Sequence, residues 1–144
     1  MADSDEHCDR VLGPQELTAE IFRQALAIDQ IDSCDDGDGD IRFRLDGFLA
    51  FIRLNKARNL IRLYAIFGFK EDAPEIEKLR FSDKVNDRVF FLRSCLVANQ
   101  KSLVVDWSIP TDAGLSLGQI GSFIRRFGQN LRLVLELDKS DLLK

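Results

Sequence analysis

Apolar residues recur along this chain at two periods, and the switches between them mark out its elements. Beyond Gly13-Pro14, Leu17, Ile21, Ala25 and Ile28 keep helical spacing and predict a helix over 14–29. Pro14 suits a first helical turn, where its missing N–H costs nothing, and Glu16 and Glu20 lie near the positive end of the helix dipole. Ile31 to Cys34 reads as a short strand, followed by the loop Asp35-Asp36-Gly37-Asp38-Gly39-Asp40. Ile41, Phe43 and Leu45 then alternate with Arg42, Arg44 and Asp46, the period of a half-buried strand. Phe48 to Leu54 and Leu60 to Phe67 form a hairpin around Asn55-Lys56-Ala57-Arg58-Asn59.

Asp72 and Pro74 open a helix over about 73–88, whose apolar stripe is Ile76, Leu79, Val85 and Val89. A second hairpin runs from Phe90 to Ala98, turns at Asn99-Gln100-Lys101-Ser102, and returns through Leu103 to Ile109, with Leu103, Val105, Trp107 and Ile109 on one face. Leu117, Ile120, Ile124, Phe127, Leu131 and Val134 place a long helix over roughly 116–137. The order α-β-β-β-α-β-β-α predicts an α+β domain: an antiparallel sheet of five to six strands, built from two hairpins, with helices packed on it.

Size and composition agree with one domain. With 144 residues, 45% of them hydrophobic, the chain can bury a core without disulfides or a structural metal. Cys8, Cys34 and Cys95 are odd in number and no two are closer than 26 positions, which excludes a disulfide framework and a CxxC metal knuckle. Free thiols, a polar start and the absence of a long apolar run predict a cytoplasmic protein with no membrane contact. The net charge of −4 is unevenly spread. Residues 1–40 carry twelve acids against two arginines, and residues 41–144 carry twelve acids against eighteen bases. The expected division is a disordered acidic head over 1–12 and a single domain over 13–144.

Candidate chemistry is sparse. Asp36, Asp38 and Asp40 match the first three ligand positions of an EF-hand loop, but Ile41 stands where the glycine belongs and Gly47 where the bidentate glutamate belongs. The segment is read as a turn, with a cation sensor as the alternative. His7 is the single histidine, which removes the usual partner for a serine or cysteine nucleophile. Cys34 and Cys95 read as packing residues, and Gly118 and Gly121 as a close approach of the last helix. Asp46, Asp106 and Asp112 are the acids near strand ends, without any mark of catalysis. No enzyme and no cofactor is expected.

Three segments carry a resemblance. Leu45-Asp46-Gly47-Phe48 leads into the hairpin that ends Leu63-Tyr64-Ala65-Ile66-Phe67; Val85-Asn86-Asp87 precedes the run Val89 to Leu92; and Leu103 to Asp112 holds Asp106-Trp107 and Pro110 ahead of the long helix. Over about 14–137 the chain resembles the YbjN-like family, described as bacterial sensory transduction regulators. That resemblance implies a fold like that of type III secretion chaperones, a non-enzymatic binding role and dimer formation.

The residues themselves nominate one surface. Arg42 and Arg44 lie opposite the apolar face of their strand, and Leu49, Phe51, Arg53, Arg62 and Tyr64 share the matching parity on the next two strands. Mixed arginine and aromatic residues are enriched at protein interfaces. The expected partner is a protein or peptide, held on this face or added to a sheet edge, with self-association into a homodimer a natural extension. The acidic balance argues against nucleic acid.

Overall fold

The computed structural model describes residues 8–144. Its elements are α1 (Ala19–Ile28), β1 (Ser33–Asp35), β2 (Ile41–Leu45), β3 (Phe48–Asn55), β4 (Leu60–Gly68), α2 (Glu75–Arg88), β5 (Arg93–Val97), β6 (Ser102–Pro110) and α3 (Leu117–Leu137). The six strands make one antiparallel sheet in the order β1-β2-β3-β4-β6-β5. The expected α+β architecture is therefore observed, with the short β1 as a fourth strand ahead of α2.

Register follows from local chemistry. Asp46 and Gly47 both adopt positive φ, 52° and 86°, the requirement of a tight two-residue hairpin turn. That turn sets Leu45 opposite Phe48, which in turn places Arg42 opposite Phe51. The inward residues Ile41, Phe43, Leu45, Ala50, Ile52, Ile61, Leu63, Ala65, Leu103, Val105 and Ile109 join the helices in one core. Helix α3 contributes Leu117, Ile120, Ile124, Phe127, Leu131 and Val134 to it. A capping box starts α3: the Gln119 amide donates to Ser116 Oγ at 3.1 Å, and the Ser116 amide donates to Gln119 Oε1 at 2.9 Å.

Several boundaries differ from expectation, each for a visible reason. The first helix begins at Ala19, because Thr18 is extended and its hydroxyl caps the Ile21 amide; Pro14 to Glu16 form a turn instead. Its buried residues are Phe22, Ala25 and Leu26, while Ile28 faces out. Leu12, placed in the head by the sequence, is buried in the core and bridges Leu115. In α2 the inward residues are Phe81, Ser82 and Val85, with Ile76 and Leu79 exposed. The strand expected from Phe90 begins at Arg93, since Phe91 turns through a left-handed φ of 71° that no strand accommodates.

Candidate functional site

All three helices contribute to the core against the inner face of the sheet, and the strand residues of opposite parity form a second face. Cross-strand partners run across that face as a continuous row: Cys34, Arg42, Phe51, Tyr64, Asp106 and Arg93, one from each strand. A neighbouring row holds Arg53, Arg62 and Ser108. On the other side Arg44 faces Leu49, and Ile66, Val104 and Cys95 are aligned. Phe51 stacks on Tyr64 with ring centroids 4.8 Å apart and planes 11° from parallel. The sequence-predicted stripe is thus brought together by register.

Two carboxylates divide this stripe into a committed part and an open part. Asp40 is only 3% exposed and receives Arg53 as a fork, from Nε at 3.0 Å and Nη2 at 2.8 Å, together with the Tyr64 hydroxyl. Asp106, also 3% exposed, receives Arg62 Nε at 2.7 Å and Arg93 through Nε at 3.1 Å and Nη2 at 2.8 Å. The guanidinium carbons of Arg53 and Arg62 lie 5.5 and 4.8 Å from the Tyr64 ring centre. Charge-assisted forks of this kind fix geometry as well as charge. Arg53, Arg62 and Tyr64 are therefore held in place by internal partners.

The electrostatics match that geometry. Burial pushes the Asp40 carboxyl up, but hydrogen bonds from Arg53 and Tyr64 and the charges of Arg53 and Arg62 outweigh it and hold the group below its ordinary value. Tyr64 is pushed up to about 12, first by burial and then by its bond to Asp40 and that group's charge. Hydrogen bonds to Asp40 and Asp106 raise Arg53 and Arg93 respectively.

Arg42 and Arg44 are different. Both are exposed, and among the described residues neither makes an ion pair; Arg44 donates one long bond of 3.4 Å to the Gly47 carbonyl. Leu49 and Ile66, the latter 46% exposed, lie on the same face. A shallow groove of about 640 Å³ opens beside them, lined in part by Ile31, Asp32, Cys34, Arg42, Arg44 and Leu49.

The other sequence candidates do not assemble. In the acidic loop, Asp36 Oδ1 accepts the Asp38 and Asp40 amides at 2.8 and 3.0 Å, and Asp35 Oδ1 accepts the Gly37 amide at 3.0 Å. These are turn-forming bonds. With Asp40 clamped by Arg53, the three aspartates are not gathered as a ligand set, and no group of three metal-ligating side chains occurs among the described residues. Cys34 and Cys95 are exposed on opposite edge strands, not packed as expected, and His7 lies outside the described residues. Asp46 pairs with Arg132 at 2.7 Å and Asp112 accepts from Asn59 at 3.1 Å, so each acid near a strand end has its own partner.

The β5 edge of the sheet carries a plug that the sequence reading missed. Asn86 on α2 donates to the Ser94 carbonyl at 3.2 Å and accepts the Ser94 amide at 2.7 Å, imitating a neighbouring strand on the outer side of β5. At the other edge Arg23 donates to the Ser33 carbonyl at 3.4 Å. Also unforeseen is an aromatic step outside the sheet. Phe90 is 78% exposed, and Phe91 packs 5.5 Å from Trp107, which meets Phe123 edge-on at 5.4 Å. No helix among the described residues is long and apolar enough to cross a membrane.

Comparison with known proteins places this architecture. Residues 18–136 match the YbjN family model, described as "Putative bacterial sensory transduction regulator". Among solved structures, the chain is similar to YbjN of E. coli, titled a putative transcription regulator, at 21% identity and a TM-score of 0.72 over 87% of this chain and 94% of that one. It is also similar to a chain of the HopA1-SchA chaperone-effector complex, at 15% identity and a TM-score of 0.57 over 82% and 90% of the two chains. An uncharacterized protein from Methanothermobacter thermautotrophicus gives 14% identity and a TM-score of 0.63 over 87% and 99%. A search of curated proteins found no match. The TM-scores establish a shared fold, one also found in the chaperone-effector complex, and the family match over most of the chain establishes membership: this protein belongs to the YbjN family.

Proposed function

We propose that this chain is a non-enzymatic, cytoplasmic regulator that acts by binding, a chaperone-like module that holds a protein or peptide partner against the open face of its sheet. The observation that carries the reading is the face that the described residues leave uncovered, where Arg42, Arg44, Leu49 and Ile66 are exposed beside a groove. Exposed apolar side chains with arginines beside them have the composition of a recognition surface. The regulator description of the family supports the reading, as does the likeness to a chain from a chaperone-effector complex.

The plug on β5 redirects the idea of strand addition. A partner strand there would have to displace Asn86 at Ser94, so the face is the better docking surface. A homodimer would face the same obstacle and would use other surface.

Capture from the native cell tests the proposal. A triple variant, Arg42→Glu, Arg44→Glu and Ile66→Glu, should lose the partner while keeping its melting profile and its Trp107 fluorescence. A control variant Phe90→Ser, outside the sheet, should retain it. Capture that survives the triple change and fails with Phe90→Ser would overturn the reading.

A further inference from the structure

We infer that the segment recognised on this face is acidic and amphipathic: a stretch of a partner protein whose carboxylates pair with Arg42 and Arg44 and whose apolar side chains rest on Leu49 and Ile66. The inference rests on the proposed binding function and names its partner class.

Charge complementarity is the argument. Strand residues sharing the open face include five arginines, Arg42, Arg44, Arg53, Arg62 and Arg93, and a single acid, Asp106. The flanking loop adds the buried Asp40 together with Asp35, Asp36 and Asp38. Five arginines are thus set against these acids, and the pairing decides which cations are open to a partner. Three of the arginines are spoken for by Asp40 and Asp106, which leaves the charge of Arg42 and Arg44 without an internal counterpart among the described residues. A guanidinium presents a planar fork that suits carboxylates.

Apolar contacts beside the cations narrow the class. Leu49 is the cross-strand partner of Arg44, and the groove lined by Arg42, Arg44 and Leu49 also carries Ile31. A purely polar anion would leave these side chains unused. A nucleic acid would call for aromatic faces open to stacking, whereas both rings of this face are taken: Phe51 lies on Tyr64, and Tyr64 is buried beneath Arg53 and Arg62.

The test uses the full chain and three fluorescent probes. These are a peptide alternating Glu with Leu, the same peptide with Gln for Glu, and a single-stranded oligonucleotide. The Glu peptide should bind roughly tenfold more tightly than the Gln peptide at low salt, the effect of two partly exposed charge pairs. Added salt should shrink that ratio. The variant Arg42→Gln with Arg44→Gln should abolish the difference while leaving the melting profile intact. Equal binding of the two peptides, tighter binding of the oligonucleotide, or a difference that persists in the double variant would overturn the inference. If the triple variant still fails to capture the native partner in that event, the binding function stands and only the acidic class is lost.

Discussion

Tyr64 is the sole tyrosine of the chain, so its ionisation can be followed without interference. Its hydroxyl donates to Asp40, its ring is 8% exposed, and its pKa is pushed up to about 12 from the ordinary 10.0. A raised pKa means that the fold favours the protonated phenol. The resulting stability is fully present below pH 10 and is lost as pH climbs from 10 towards 12. Two pH units convert to nearly 3 kcal/mol, but the ring lies on an uncovered face reached by water, which trims the figure to about 1–2 kcal/mol. Near-ultraviolet tyrosinate absorbance should therefore titrate close to 12 in the folded protein and near 10 in denaturant, with Trp107 fluorescence reporting that the fold persists. Denaturation with urea should show the stability gap between wild type and Tyr64→Phe narrowing by about 1–2 kcal/mol across that pH range. A folded-state midpoint near 10 with a native Trp107 signal would refute the Tyr64–Asp40 bond and the committed half of the face.

Four further outcomes follow from the same contacts. Asp106→Asn removes the shared acceptor of Arg62 and Arg93 and should cost about 1–3 kcal/mol in urea denaturation, less than a fully enclosed pair because both arginines can reach water. Asp40 has a lowered pKa, so its contribution is present above 3.8 and disappears as pH falls through the folded value; acid titration of Asp40→Asn should lack that part of the decline. Asn86→Ala should unplug β5 at Ser94, lowering stability by about 1–2 kcal/mol and producing dimers or larger species in light scattering; a variant that stays as wild type at all concentrations would deny the plug its role. On α3, Gly118→Ala has ordinary space, 3.4 Å to the Cys8 carbonyl oxygen, and should gain up to about 1 kcal/mol, whereas Gly128→Ala would put a Cβ 2.9 Å from buried Leu45 and should lose that gain or more.

Much of the fold was legible because period and turn chemistry agree. The alternation Ile41-Arg42-Phe43-Arg44-Leu45 can bury only one face, and Asp46-Gly47 fixes the register that aligns Arg42 with Phe51. The stripe could therefore be read before the sheet was seen. Its division could not. Asp40 looked like part of a loop of acids, and only the approach of Arg53, thirteen positions later, turns it into a buried anchor. Asp106 meets Arg93 because β5 lies on the outer side of β6, a contact that periodicity does not encode. The run Val89 to Leu92 is continuously apolar and reads as strand, yet the positive φ of Phe91 makes a turn that buries Val89 and Leu92 and exposes Phe90 and Phe91. Asn86 has an evident task only once α2 lies beside Ser94.

Side-chain footprinting of the chain with and without its captured partner tests the central claim most directly. Binding on the uncovered face should shield Leu49 and Ile66 from modification and leave Phe90 and Leu133 as reactive as in the free chain, all four being exposed to begin with. Protection of Phe90 and Leu133 with Leu49 and Ile66 unchanged would contradict the account.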